Sequence, residues 1–210
     1  MRPLGFTIEA VSRSSSEKNG AEKLEQIKKT FLNHSPPILV NEYLGSGGFS
    51  DVYSATSDYF GVQEFAIKIL RSGLMKPRVG RYFDPKREEM RVKDIKKRFT
   101  NESYVQWSLS QNLSERVSQS VVKVYDHGEF DTRQRYRFIL MERMQSTLRN
   151  FINSTESADT SQEMLRYKTL LLMKIADIIH NVHQEGIFHR DIKPENIFLA
   201  LSSILLICRI

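Results

Sequence analysis

Between Ile38 and Met144 the chain carries short apolar runs separated by turns, the signature of β-strands. Ile38–Leu44 and Asp51–Thr56 flank a cluster of glycines. Glu64–Leu70 (EFAIKIL) is a compact β-type run. Val121–Tyr125 and Arg137–Met141 (RFILM) predict two more strands, with Asp126-His127-Gly128 at the turn between them. One helix interrupts this series: Phe99, Glu102, Val105, Leu109 and Leu113 fall on one stripe over 99–113. A basic connection from Gly73 to about Asp94, with Pro77 and Pro85, leads into it. From Gln145 onward the pattern turns helical. Ser146–Ile152 predicts a short helix and 163–183 a long one, with Leu165, Leu172, Ile175, Ile179 and Val182 apolar. Apolar residues reach well around that long helix, which predicts burial on more than one side, and Gly186 ends it. At the other end, residues 1–20 are rich in serine and predict disorder. Leu24, Ile27 and Phe31 mark a short amphipathic helix over 21–33 that Ser35-Pro36-Pro37 breaks. A strand-rich part followed by a helix-rich part is a segregated α+β arrangement, not an alternating β/α one.

Composition narrows the class. The 210 residues are 40% hydrophobic and 27% charged, an ordinary globular balance, and 10 Gly and 6 Pro exclude collagen-like or mucin-like chains. The single cysteine, Cys208, excludes an internal disulfide or a cysteine zinc cluster. It points to a reducing, intracellular setting, cytoplasmic or nuclear. The net charge of +6 is concentrated in 71–98, where eleven Lys and Arg face four acids. A run of this kind reads as a solvated insert. No aromatic interleaving suggests base stacking, so no nucleic-acid partner is expected. The first residues lack the apolar core of a signal peptide. The apolar stretch from Ile197 to Cys208 is shorter than the roughly 20 residues of a spanning helix, so buried strands explain it better than a membrane anchor.

Three short segments carry chemistry. In Leu44-Gly45-Ser46-Gly47-Gly48-Phe49-Ser50-Asp51-Val52-Tyr53 the glycines let backbone N–H groups approach phosphate oxygens. A strand, not a helix, follows the glycines, which disfavours a dinucleotide fingerprint, and no Gly-Lys-Ser/Thr makes a Walker-type loop. By themselves the glycines also suit a plain hairpin turn. In Ala66-Ile67-Lys68 a lysine stands in an apolar strand, where it either snorkels to water or finds a partner. In His189-Arg190-Asp191-Ile192-Lys193-Pro194-Glu195-Asn196 an acid, a lysine and an amide lie within six residues after a long helix. Asp191 can accept a proton from a hydroxyl, Lys193 can neutralise phosphate, and the Asn196 carbonyl can coordinate a hard cation.

In order and spacing these segments resemble the eukaryotic-type protein kinase family, and Lys193 two residues after Asp191 resembles its serine/threonine branch. The resemblance covers about residues 38–199. It implies a two-lobed α+β fold with an N-terminal extension (1–37), a β-rich N-lobe (38–144) and part of a helical C-lobe (145–210). It implies transfer of the ATP γ-phosphoryl group to Ser or Thr hydroxyls of a protein substrate, with ATP and Mg²⁺ as cofactors. Gly45, Gly47 and Ser50 would cover the phosphates, Ser50 replacing the usual third glycine. Lys68 would pair with the phosphates and with a helix glutamate. Glu102 is chosen over Glu88 and Glu89 because it shares the stripe of Val105 and Leu109. Leu44, Val52 and Ala66 would lie above the adenine and Phe198 below. Glu142 to Met144 would form the hinge, with Met141 behind it. Asp191 and Lys193 would be catalytic, and Asn196 would bind one Mg²⁺. The resemblance stops after Asn196. The family's Asp-Phe-Gly is missing, and Arg209 and Ile210 stand near the place of its metal-binding aspartate. That predicts a domain cut short after the catalytic loop, with weak or no transfer. The alternative is an ATP-binding or regulatory module without catalysis.

Overall fold

The computed structural model describes residues 15–60, 64–71, 84–112, 114–130, 136–155, 161–189, 191–199 and 204–206. A first helix, α1 (Ser15–Leu32), precedes a five-stranded antiparallel sheet. The strands are β1 (Leu39–Ser46), β2 (Ser50–Thr56), β3 (Phe65–Leu70), β4 (Val124–Phe130) and β5 (Tyr136–Glu142), in the order β1-β2-β3-β5-β4. Helix α2 (Pro85–Asn112) lies between β3 and β4 in sequence.

The central strand explains the layering. Every residue of β3 is buried, and period-two alternation sends successive side chains to opposite faces. Phe65, Ile67 and Ile69 join Val40, Tyr53, Phe138 and Leu140 on one face, where Ile27 and Phe31 of α1 complete the cluster. Ala66 and Leu70 join Ile139 and Met141 on the other, under Ile95 and Phe99 of α2. Phe31 is fully buried and packs edge-on against Phe138, with ring centroids 5.2 Å apart. Burying each such side chain contributes roughly 1.5–3 kcal/mol, so α1 is an integral layer of the sheet domain.

The remaining chain is helical, with one small sheet. Helix α3 (Glu115–Ser118) is a single turn, α4 (Leu148–Thr155) is short and α5 (Gln162–Gln184) is long. Strands β6 (Ser146–Thr147), β7 (Ile197–Leu199) and β8 (Ile204–Leu206) pair antiparallel in the order β6-β7-β8. The apolar stretch after Asn196 therefore supplies two strands. Ser161 caps α5, its Oγ accepting the Met164 N–H at 3.1 Å, and Gly186 ends it with φ of 75°, where a side chain would be strained. Leu171, Ile175 and Ile178 of α5 pack on Leu148 and Ile197. Val182 meets Leu109, Val117 and Val121, which ties α5 to the α2–α3 corner.

Four expectations need correction. Residues 15–20, expected to be disordered, form the first turns of α1. Residues 1–14 lie outside the described residues, as do the basic residues 72–83. Helix α2 begins at Pro85 and not near Phe99. Its first turns are charged on nearly every side, so they carry no apolar stripe, but Pro85 suits the first helical position. The Asp84 carboxylate accepts the N–H groups of Lys86 (3.0 Å) and Arg87 (3.3 Å) as a cap. Asp126-His127-Gly128 is not a turn but the middle of β4, paired with Leu140, Ile139 and Phe138 across a register shift. Finally, α5 buries one stripe, Leu171, Ile175, Ile178 and Val182, whereas Leu165 and Leu172 are exposed.

Candidate functional site

The β1–β2 turn forms the roof of a cavity of about 850 Å³. Gly47 N–H donates to Ser50 O at 2.9 Å and closes the turn, and Arg71 N–H donates to Phe49 O at 2.9 Å and fastens it to the end of β3. Leu44, Gly45, Gly47, Ser50 and Val52 line the cavity from above. A Cβ added at Gly45 or Gly48 would meet no atom within 4 Å, so internal packing does not require glycine at either position. Ala66 and Lys68 of β3 and Met141 of β5 form the back, and Glu142, Arg143 and Met144 form the connecting edge. Phe198 of β7 is the floor, with Lys193, Glu195 and Asn196 at one end.

Lys68 is only 7% exposed. A buried ammonium loses several kcal/mol of hydration and needs a counter-charge and hydrogen bonds. Its Nζ donates to Glu102 Oε1 of α2 in a short ion pair, and the helix is thereby tied to the central strand. Glu88 instead pairs with Arg91 within α2. Lys68 and Glu102 also face a smaller cavity of about 260 Å³, between the turn and α2, lined by Ser50, Ile95 and Phe99.

The turn from His189 to Asn196 is internally braced. His189 is buried and its Nδ1 accepts the Asp191 N–H at 3.2 Å. Asn196, 6% exposed, donates through Nδ2 to both the main-chain O and the Oδ2 of Asp191, each at 2.8 Å. Lys193 Nζ lies 3.0 Å from the same Oδ2. With its Nδ2 turned to Asp191, Asn196 presents an amide oxygen for other partners. Arg190 lies outside the described residues. A braced carboxylate flanked by a cation and an amide can take a proton from a bound hydroxyl.

The structure thus gathers onto one cavity every site residue read from the sequence except two. Glu102 touches it through Lys68, and Asp191 through Lys193 and Asn196. Sequence reasoning missed Val122, Thr147 and Asn150, which also line it, because none belongs to a recognisable motif. Glu195, inside the motif but given no role, pairs with Arg149 of α4 at 2.8 Å, and that hydrogen bond holds its carboxyl below the usual carboxylate range. Burial lowers the His127 pKa against the opposing pull of Asp126, and its ring lies against Trp107. Among the described residues no group of three His, Cys, Asp or Glu could hold a metal, and no helix is long and apolar enough to cross a membrane.

A glycine turn, a buried lysine–glutamate pair and a braced Asp-Lys-Asn turn thus meet around one cleft of a two-lobed α+β fold. Residues 38–208 match the family model described as protein kinase domain, and the chain belongs to that family. It is 31% identical over 158 residues to a probable serine/threonine-protein kinase PknB of Corynebacterium glutamicum, covering 75% of this chain and 20% of that protein. It is 29% identical over 166 residues to the serine/threonine-protein kinase PknB of Mycobacterium tuberculosis, covering 78% and 22%. The chain therefore spans about a fifth of the length of these curated relatives. In shape it resembles the PknI kinase domain of Mycobacterium tuberculosis, with a TM-score of 0.54 at 20% identity over 82% of this chain and 58% of that one. A second solved kinase domain gives 0.56 at 18% identity over 77% and 39%. The family uses ATP and Mg²⁺.

Proposed function

We propose that this chain binds ATP in the cavity beneath the β1–β2 turn as a serine/threonine protein kinase domain, with phosphoryl transfer weakened by the missing Asp-Phe-Gly aspartate. Residues 38–144 would form its upper lobe and 145–210 the beginning of its lower lobe. The observation that carries the reading is the opening of Lys68 and of the Lys193–Asn196 turn onto one cleft. Its volume, about 850 Å³, lies within the range of nucleotide-sized sites. In this reading the purine lies between Leu44, Val52 and Ala66 above and Phe198 below, against the main chain of Glu142 to Met144, with Met141 behind. The triphosphate runs under Gly45, Gly47 and Ser50 toward Lys68, whose charge Glu102 holds in place.

The phosphoryl group passes from ATP to a Ser or Thr hydroxyl of a protein substrate. The bond from the γ-phosphorus to the bridging β,γ-oxygen breaks, a bond to the hydroxyl oxygen forms, and the hydroxyl proton goes to Asp191. Lys193, beside that carboxylate, offsets negative charge on the transferred group. The oxygen donors present, the Asn196 amide beside the Asp191 carboxylate, suit a hard cation such as Mg²⁺ completed by phosphate oxygens. When bound, that cation would supply neutralisation of phosphate charge.

The test is transfer of label from radioactive ATP to a generic protein acceptor in Mg²⁺, with Lys68→Met as control. Label on serine or threonine that depends on Lys68 supports the kinase reading. Nucleotide binding without transfer would reduce the function to binding alone, and the absence of both would refute the site.

A further inference from the structure

Lys23, Asp51 and Arg71, which have no role in the site described above, form one cluster on the sheet face opposite the cavity. Asp51 follows Ser50 in β2 and points, with Tyr53 and Ala55, to the side that α1 covers. It is 9% exposed, and both carboxylate oxygens are engaged. Oδ1 accepts from Arg71 Nε at 2.7 Å, and Oδ2 accepts from Lys23 Nζ at 2.6 Å. The guanidinium that Asp51 holds reaches on to the glycine turn. Arg71 Nη2 donates to Gly47 O in a short bond and to Ser50 O at 3.4 Å. The roof of the cavity is thus gripped from behind by Arg71, which is fixed by Asp51, which in turn is fixed by a lysine on α1.

An incidental surface ion pair would have freely hydrated partners and no link to a functional element. Here the acid is buried, three elements converge on it, and the chain of contacts ends on the two carbonyls that shape the turn. Helix α1 is also independently anchored, through Ile27 and Phe31, so Lys23 is presented from a fixed base. We propose that α1 acts as a strut on the glycine turn through Lys23, Asp51 and Arg71, and that this hold sets how tightly the cavity below retains a nucleotide. The consequence for the nucleotide rests on reading the cavity as an ATP site. Lys23, Asp51 and Arg71 are positioning residues, because they act through the turn.

The experiment compares the full chain with Lys23→Met, Lys23→Arg and Arg71→Met. It reads amide hydrogen exchange over residues 45–50, the Kd for Mg·ATP and the thermal midpoint. Losing the half-exposed Lys23 pair should weaken nucleotide binding about three-fold. Losing Arg71, with its charge-assisted bonds to the turn, should weaken it about ten-fold. Both variants should speed exchange over 45–50 more than elsewhere, and Lys23→Arg should restore wild-type behaviour. A lower thermal midpoint with uniformly faster exchange and unchanged Kd would overturn the proposal, as would exchange over 45–50 that neither variant moves. A wild-type chain that takes no nucleotide, but whose turn loosens on Lys23→Met, upholds the strut and refutes the ATP site instead.

Discussion

Glu102→Gln and Lys68→Met cut the same ion pair from opposite ends, and the structure predicts unequal costs. Lys68 has 9% of its side chain exposed and Glu102 has 18%. Glutamine keeps the shape of Glu102 but removes the charge that the Lys68 ammonium touches, and that cation is the less exposed of the two groups. Removing the charge that offsets a buried ammonium costs about 3 kcal/mol or more. Methionine at position 68 removes the cation and fills its path with an apolar chain beside Ala66, Val52 and Met141. The Glu102 carboxylate is the more exposed of the two groups, so the cost should be smaller, about 1 kcal/mol. Urea unfolding of both variants measures the difference, and 3 kcal/mol corresponds to a midpoint shift of roughly 1–2 M. Saturating Mg·ATP should recover part of the loss in Glu102→Gln, because phosphates replace the missing charge, and none in Lys68→Met. Equal losses, or a larger loss in Lys68→Met, would refute the argument that Lys68 is the more deeply desolvated partner.

Phe31→Ala should destabilise the chain by about 4 kcal/mol in the same assay, since a fully buried ring in an aromatic cluster leaves a cavity. A loss below about 1 kcal/mol would mean that α1 is not part of the core. Gly48→Ala should leave stability within about 0.5 kcal/mol, because its Cβ meets nothing within 4 Å, while nucleotide affinity falls if the turn is closely approached by phosphates. Burial, and next the charge of Asp51, push the Tyr53 hydroxyl up from 10.0 to about 12. The folded state therefore holds this proton more tightly than the unfolded one. The stability it contributes is complete below pH 10 and is lost as pH rises toward 12, so Tyr53→Phe should flatten the alkaline decline in urea midpoint.

Much of this was legible in the sequence, and the misses share causes. The strands of the sheet were readable because β3 and β5 are mostly apolar, each interrupted by a charged residue, Lys68 in β3 and Arg137 in β5. Glu102 could be chosen because its stripe mates, Val105 and Leu109, pack in one core cluster, Leu109 buried and Val105 partly so. The start of α2 was hidden because charged turns such as Lys86 to Lys97 show no periodicity, and only Pro85 and the Asp84 cap mark it. Asp126-His127-Gly128 has turn composition, but pairing with β5 overrides that local preference. The exposed side of α5 was misjudged because a sequence shows which residues are apolar but not which of them find a partner. The Lys23–Asp51–Arg71 cluster was invisible, since its members lie 28 and 20 residues apart and acquire meaning only when α1 docks on the sheet.

One cleft is lined by two segments far apart in sequence, the glycine turn and the Lys193–Phe198 stretch. Titrating Mg·ATP into the full chain while following backbone amide resonances tests this directly. The expected result is saturable shifts in both Gly45–Val52 and Lys193–Phe198 with one shared Kd, lost together in Lys68→Met. Shifts in one segment alone, or binding that Lys68→Met leaves intact, would contradict it.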